Sequence, residues 1–488
     1  MTTAVHADIS PLLEALGARD EARIIQETLD LLGPGSVPPG HITARVAVPV
    51  AWAGGDGHPL LVLGAAGRIA EWMRAIPAGP EPDAASQRAL APAVPLVQGL
   101  VAVADQVRVG LRGQHPDLPT PITPLQLDGE GGPLPALRQA YAKGDRTRFA
   151  AVLAGLYRTG ADYRSLAKNL YATLDYHYPA GGHPLIFAAG ANRVLGLANW
   201  GVRVPPLIHW LVPLVVSGEA DEGLADRARS YAEAPGHDLA WLRTRLSVPN
   251  EDAAGPAFRR TILDGDADAA CGAVLTALRA GATPRGVASA LAVAVAERLA
   301  AVAAGDRDTL DHAGHTLLYA SAVHQVMRES QDPEVFPLLY TGALVVNALG
   351  RAPGAAPAAV PASTPIGGLI APAMLRSLEH QAASGDTTGA LTTARRYIQL
   401  GHAPMSLAGV LGAAASRRDT RSVPHTLPLV AAAAEEYLNL PGMGTGGMPN
   451  PSSSQSALVT AMVRLATELT GETTLADHVR DAIAARAT

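Results

Sequence analysis

The sequence predicts an all-α fold of four pseudo-repeats of about 120 residues, each a multi-helix unit, packed around a central histidine-lined cavity. Three observations lead to this prediction. An Asp and a Gly recur four times at one spacing, a His that opens an apolar run follows each pair, and signals for β-strands are few. Self-similarity at a fixed period indicates one supersecondary unit that is used repeatedly.

Each unit opens with an aspartate that is followed fifteen residues later by a glycine. The four pairs are Asp20/Gly35, Asp145/Gly160, Asp266/Gly281 and Asp386/Gly401. An aspartate caps a helix by accepting a backbone N–H bond from the first turn, and glycine suits the left-handed position after a helix. We therefore predict a first helix in each unit, such as 145–159 and 266–280.

Further helices complete each unit. A second helix is predicted at 163–174 and 284–303, a third that begins at the histidine at 183–199 and 315–328, and a fourth at 205–216 and 333–349. Proline directly after His58 and His183 suits the first turn of a helix. The stretch 42–50 alternates briefly like a strand, but Pro49 argues against an extensive sheet.

The units are expected to form one compact body. They are a divergent first repeat with a linker at 1–136, and further repeats at 137–256, 257–365 and 366–488, the last with a C-terminal helix. Non-repeat segments are predicted at 78–83, 114–135 and 351–365, and a flexible Gly/Pro/Ser-rich loop at 441–454 before a final helix at 455–469.

The composition limits the class of protein. Hydrophobic residues make up 48% of the 488 residues, which is enough apolar material for a sizeable core. The net charge of −6 without a basic run argues against a nucleic-acid partner. The lone Cys271 excludes internal disulfides and sulfur-based metal clusters, and charged residues such as Glu297 interrupt the apolar runs, so no membrane span is predicted. With no recognisable signal peptide, we expect a soluble cytoplasmic protein.

Four histidines at equivalent positions form a candidate metal site: His58, His183, His315 and His425. Neutral imidazole is a common ligand of iron, zinc, copper and nickel, and related units should place equivalent residues at equivalent depths. The alternative is that these histidines cap helices or form hydrogen bonds in a polar seam. His177 and His312 lie six and three residues before two of them and are candidate catalytic-site partners that support the ligands.

An anionic ligand would offset the charge of a divalent ion held by neutral imidazoles. Lys168 is one of only two lysines and stands where later copies carry Ser289 and Gly409. A buried lysine favours its neutral amine, which CO2 can carboxylate to an oxygen ligand, whereas a lysine that reaches the surface does not. Asp175, seven residues further along the same predicted helix face, is the simpler candidate.

Two segments resemble the questin oxidase-like family, which includes relatives associated with Rieske-type proteins. They are the run from Gly182 through His183 to Ala188 and the run from Asp311 through His315 to His324, and the similarity covers roughly Leu137–Leu438. The resemblance implies an α-helical non-haem iron oxygenase that opens rings of polyketide-like substrates. It also implies an iron site built from histidines and a carboxylated lysine. By position, the four repeat histidines correspond to the ligands, with Lys168 as the available lysine.

Three classes of function follow. The first is a non-haem Fe(II) oxygenase in natural-product biosynthesis that performs ring-opening or Baeyer-Villiger-like oxidation of a bulky aromatic or polyketide-like substrate with O2. An electron-donor protein is left open as a partner. The second is a zinc-dependent hydrolase or isomerase that uses the same site without redox chemistry. The third is a non-catalytic helical scaffold whose histidines are structural.

Overall fold

The computed structural model describes residues 8–33, 36–76, 88–113, 117–160, 163–196, 204–216, 222–244, 250–351, 371–417, 424–440, 452–469 and 474–487. All regular secondary structure within these ranges is helical, which confirms the predicted all-α class. Gly35, residues 197–199, the segment 78–83, and most of 351–365 and 441–454 lie outside them, so the predictions made there are not addressed.

The helices follow one another with short connections. In the first quarter of the chain they are α1 (Ser10–Ala18), α2 (Glu21–Leu32), α3 (Pro39–Ala53), α4 (His58–Met73), α5 (Ala93–Ala102) and α6 (Ala104–Arg112). The next are α7 (Pro133–Ala142), α8 (Arg146–Arg158), α9 (Tyr163–Thr173), α10 (His183–Gly196), α11 (Val204–Val215) and α12 (Glu222–Glu233). Helix α7 runs through the expected boundary between residues 136 and 137.

The second half continues the all-helical pattern. It contains α13 (Pro256–Asp264), α14 (Ala267–Ala280), α15 (Pro284–Ala301), α16 (Arg307–Glu329) and α17 (Leu338–Arg351). These are followed by α18 (Ala371–Ala383), α19 (Thr387–Gln399), α20 (Pro404–Ala415), α21 (Thr426–Leu438), α22 (Ser453–Glu468) and α23 (Leu475–Ala487). Short 3₁₀ helices occupy Pro124–Glu130, Pro179–Gly182, Ala240–Thr244, Glu251–Ala254 and Pro333–Val335.

All four predicted aspartate caps are present. The side chains of Asp20, Asp145, Asp266 and Asp386 each accept a hydrogen bond of 2.8–3.1 Å from the backbone N–H three residues later. Gly160, Gly281 and Gly401 follow the capped helices with positive φ angles, as the helix-end prediction requires. This local chemistry therefore sets the start and end of the first helix of the last three units.

The structure shows what the alternating stretch forms, and it contradicts one predicted helix start. The alternating stretch 42–50 lies inside α3, because Ile42, Val46 and Val50 recur every four residues and bury one helix face. His315 does not begin a helix, since α16 starts at Arg307. Asp306 caps it, accepting a bond of 3.2 Å from the Thr309 N–H.

Four helices form a ring at the centre of the described structure. Helix α4 packs against α10 and α21, and α16 packs against the same two helices from the opposite side. A second layer surrounds them, with α5 against α4, α15 against α16 and α22 against α21. The four histidine-bearing segments are therefore neighbours, although 367 residues separate His58 from His425.

No single helix in the described ranges is long and apolar enough to cross a membrane. One bent pair, Arg88–Ala102 with Ala104–Arg112, meets the length and composition criteria across a bend of 56°.

Candidate metal centre

The four repeat histidines converge at one end of the central ring. His58 and His183 are the first residues of α4 and α10, His425 directly precedes α21, and His315 lies within α16. The centroids of neighbouring rings are 4.7–5.7 Å apart: 4.9 Å for His58–His183, 4.9 Å for His58–His425, 4.7 Å for His183–His315, 5.7 Å for His183–His425 and 5.2 Å for His315–His425. All four rings are half-buried.

The ring nitrogens approach one another more closely than the rings themselves. Nε2 of His58 lies 3.0 Å from Nε2 of His183, which in turn lies 3.4 Å from Nε2 of His315. One nitrogen each of His58, His183 and His425 lie within 4.8 Å of one another. Three imidazoles thus form a compact donor set, and His315 approaches it from the side of His183.

The outer nitrogens determine which atom of each ring faces the centre. Nδ1 of His58 lies 2.6 Å from Oδ1 of Asp56, and Nδ1 of His183 donates to the carbonyl oxygen of Ala180. A carbonyl oxygen only accepts, so Nδ1 of His183 carries the proton, and a carboxylate favours the same tautomer in His58. Both Nε2 atoms then present lone pairs, which face each other across 3.0 Å.

Two facing lone pairs repel each other unless a cation lies between or beside them. A cation would also provide a partner for the Nε2 atom of His425, which is buried and has no hydrogen-bond partner among the described residues. Burial lowers the pKa of His425 to about 4 and that of His315 to about 3, and it also lowers the pKa of His183. In these three rings burial therefore favours the neutral form, which is the form that binds metal ions.

A glycine-rich turn places His183 against its neighbours. Ala180, Gly181 and Gly182 have φ angles of 48°, 68° and 81°, which turn the chain sharply into α10. A side chain at residue 182 would overlap the ring of Tyr319, so this close approach requires glycine. Phe187, one turn into α10, packs edge-on against the His58 ring at 5.4 Å and covers the apolar side of the cluster.

The two anionic candidates have other partners. Nζ of Lys168 lies 2.7 Å from Oδ2 of Asp332, and no hydrogen bond joins Lys168 to a histidine ring in the described ranges. Asp175 is buried and lies 2.6 Å from Nη2 of Arg138. Neither side chain therefore has the contacts expected of a ligand at this centre.

The two predicted partner histidines do not form hydrogen bonds with the cluster in the described structure. The ring of His177 packs against Tyr141, with centroids 4.4 Å apart, and burial lowers its pKa to about 4. His312 lies one turn before His315 on α16 and is exposed. The supporting role instead belongs to Asp56 and the Ala180 carbonyl. Sequence reasoning missed both, although an Asp two residues before His58 was a visible signal.

A second polar cluster lies at the other end of the same four helices. The residues ten positions after the four histidines are Arg68, Arg193, Gln325 and Glu435. Arg68 forms an ion pair with Glu435, Nη2 of Arg193 lies 3.1 Å from Oε2 of Glu435, and Nε of Arg193 donates to Gln325. The residues ten positions after the four histidines thus form a second layer, about 15 Å along the helices from the first.

Comparisons of the chain with protein-family models, with curated proteins and with solved structures found no match.

Proposed function

We propose that the four histidines hold one metal ion and that the protein is a non-haem iron-dependent oxygenase acting on a bulky aromatic or polyketide-like substrate. The observation that carries the metal site is the pair of Nε2 atoms of His58 and His183, which face each other at 3.0 Å with Nδ1 of each ring bonded outward. Two nitrogens that bind one ion at about 2.0–2.1 Å lie roughly 2.9–3.4 Å apart at ordinary coordination angles. The two Nε2–Nε2 distances of 3.0 and 3.4 Å fall in this range, and the His425 nitrogen lies within 4.8 Å of those of His58 and His183.

The proposal includes the four-repeat architecture around a central histidine-lined cavity. Three features support it: the four aspartate caps, the ring formed by α4, α10, α16 and α21, and the two layers of equivalent positions. A bundle built from four related units is expected to bring residues of one register together at both of its ends. The earlier start of α16 and the different lengths of the units are the main departures from this symmetry.

The proposed chemistry requires the chain to orient ligands, exclude bulk water and leave one side open. Asp56 would fix the orientation of His58, and the Ala180 carbonyl that of His183. Phe187 would keep water from the apolar side. The side chains of His58 and Asp56 are 23% and 60% exposed, so access would be from their side. Iron bound at this site would supply the redox chemistry and a coordination position for O2.

The donor set bears on which metal is bound. No carboxylate contacts the three-nitrogen set directly in the described structure, and Asp56 acts through His58. If only the set of His58, His183 and His425 binds the ion, three imidazoles and an open position match catalytic zinc, which supports a zinc-dependent hydrolase or isomerase as the second candidate. Imidazole binds both metals, so the donor atoms alone do not distinguish them. The resemblance to the questin oxidase-like family is what favours iron. Lys168 pairs with Asp332 and forms no hydrogen bond with a histidine ring in the described ranges, so the proposal does not include a carboxylated lysine among the ligands.

Oxygen uptake distinguishes the two candidates. The protein is loaded anaerobically with Fe(II) or with Zn(II), then mixed with O2 and a panel of polycyclic hydroxyaromatic compounds. We expect substrate-dependent O2 consumption with iron only, and its loss in His183→Ala. His380→Ala removes an exposed histidine of α18 and should retain full activity. Hydrolysis or isomerisation by the zinc form without O2 uptake by the iron form would replace the oxygenase proposal with its alternative.

A further inference from the structure

A cavity of about 470 Å³ opens at the end of the central ring opposite the histidines. Its charged lining comprises Arg68, Arg193, Arg285, Arg328, Glu329 and Glu435. These residues come from α4, α10, α15, α16 and α21. Ten residues of helix, about 15 Å, separate this lining from the histidine cluster, so the cavity is a distinct place in the fold.

The charges in this cavity do not balance. Glu435 is shared by two guanidinium groups, those of Arg68 and Arg193. Glu329 is engaged by neutral donors, since Nε2 of Gln325 lies 2.6 Å from one oxygen and the hydroxyl of Tyr171 lies 2.8 Å from the other. Four arginines and two glutamates leave an excess of two positive charges in the lining.

The excess lies on Arg285 and Arg328. Neither guanidinium forms an ion pair or a side-chain hydrogen bond in the described structure, and both are exposed at the mouth of the cavity. Burial, together with the nearby charges of Arg193 and Arg328, lowers the pKa of Arg68 to about 9. Partial burial and the charge of Arg285 lower the pKa of Arg328, while the nearby charges of Glu436 and Glu329 act in the opposite direction. Four arginines around one partly desolvated cavity are only partly balanced by the nearby carboxylates, and a bound anion would reduce the remaining cost.

We propose that this cavity binds a small oxyanion with two negative charges, a phosphate or a dicarboxylate, between Arg285 and Arg328 at its mouth and Arg193 deeper inside. Guanidinium groups donate paired N–H bonds to planar or tetrahedral oxyanions, and such charge-assisted bonds are among the strongest in proteins. Glu435 holds Arg68 and Arg193 in place, which pre-organises the floor of the site. The proposal does not depend on the metal centre, because its readout is binding of the anion.

Calorimetric titration of the full chain with inorganic phosphate and with succinate, at constant ionic strength, tests the proposal. We expect saturable binding of one anion per chain. Arg285→Gln and Arg328→Gln should each weaken it about tenfold or more. Arg307→Gln is the matched control, since Arg307 is an exposed arginine at the other end of α16 with no ion pair among the described residues, and its variant should bind like the wild type. Circular dichroism of each variant shows whether the helices are retained.

Stronger binding of phosphate would identify a phosphate-bearing ligand, and stronger binding of succinate a carboxylic one. Absence of saturable binding for both anions would overturn the proposal. Wild-type affinity in both Arg285→Gln and Arg328→Gln would overturn it as well, because the excess charge would then not form the site.

Discussion

The Glu435→Gln substitution should destabilise the protein far more than the loss of an ordinary surface ion pair. The Glu435 side chain is 5% exposed and serves both Arg68 and Arg193, whose side chains are 29% and 18% exposed. Glutamine keeps the size of the side chain but removes the charge, which leaves two partly buried guanidinium groups without an anion. Breaking a buried ion pair in this way costs about 3–5 kcal/mol, and the partial exposure of Arg68 favours the lower end.

The expected decrease in Tm can be calculated from the size of the protein. An unfolding entropy of about 2.1 cal/mol/K per residue gives roughly 1 kcal/mol/K for a chain of 488 residues. A loss of about 3 kcal/mol therefore lowers Tm by roughly 3 °C, which differential scanning calorimetry resolves. Adding Arg68→Met should recover part of the loss, because it removes one of the uncompensated charges.

Glu130→Gln is the control for this measurement. Glu130 pairs with Arg148 on the surface, where their side chains are 42% and 30% exposed. Such a pair contributes at most about 1 kcal/mol, so its Tm should fall by about 1 °C or less. Equal shifts for Glu435→Gln and Glu130→Gln would refute the claim that Glu435 neutralises the far end of the central ring.

Three further predictions concern the metal centre and the core. Asp56→Asn should weaken metal binding about 10–100-fold in a competition titration, since it removes the group that orients a ligand, whereas Asp226→Asn on the surface should leave the affinity unchanged. Gly182→Ala should lower the free energy of unfolding by about 2–4 kcal/mol in urea titrations, because φ is 81° and the added methyl group meets Tyr319; a loss below 0.5 kcal/mol would show that the turn adapts. Cys271 should not react with a thiol reagent at pH 8 until the protein unfolds, because burial raises its pKa to about 12, and rapid labelling of the native protein would contradict its placement in the core.

The features predicted correctly from the sequence depend on local chemistry or on a repeated register. Asp145 and Asp266 cap helices through bonds to residues only three positions away, so the pattern is visible in any short window. The histidines were found because a shared register puts equivalent residues at one depth, and the structure brings all four rings together. The start of α16 was missed because Asp306 was not recognised as a cap.

The features that could not be predicted depend on distant partners. Lys168 pairs with Asp332, 164 residues away, and Asp175 with Arg138, 37 residues away. No spacing rule connects such residues, and a lysine or aspartate on an apolar helix was therefore assigned to the metal site. The residues of the cluster around Glu435 each lie ten positions after one of the histidines, but they are not all of one type. No repeated residue type therefore revealed this cluster in the sequence.

Metal content tests the central claim most directly. The full chain is purified without an affinity tag, and its metals are quantified by inductively coupled plasma mass spectrometry beside His183→Ala, His425→Ala and the control His380→Ala. We predict one iron or zinc ion per chain in the wild type and in the control, and less than a tenth of that in the other two variants. A wild-type protein that retains no stoichiometric metal after incubation with Fe(II) or Zn(II), or variants that retain it fully, would contradict the assignment of the four histidines as ligands.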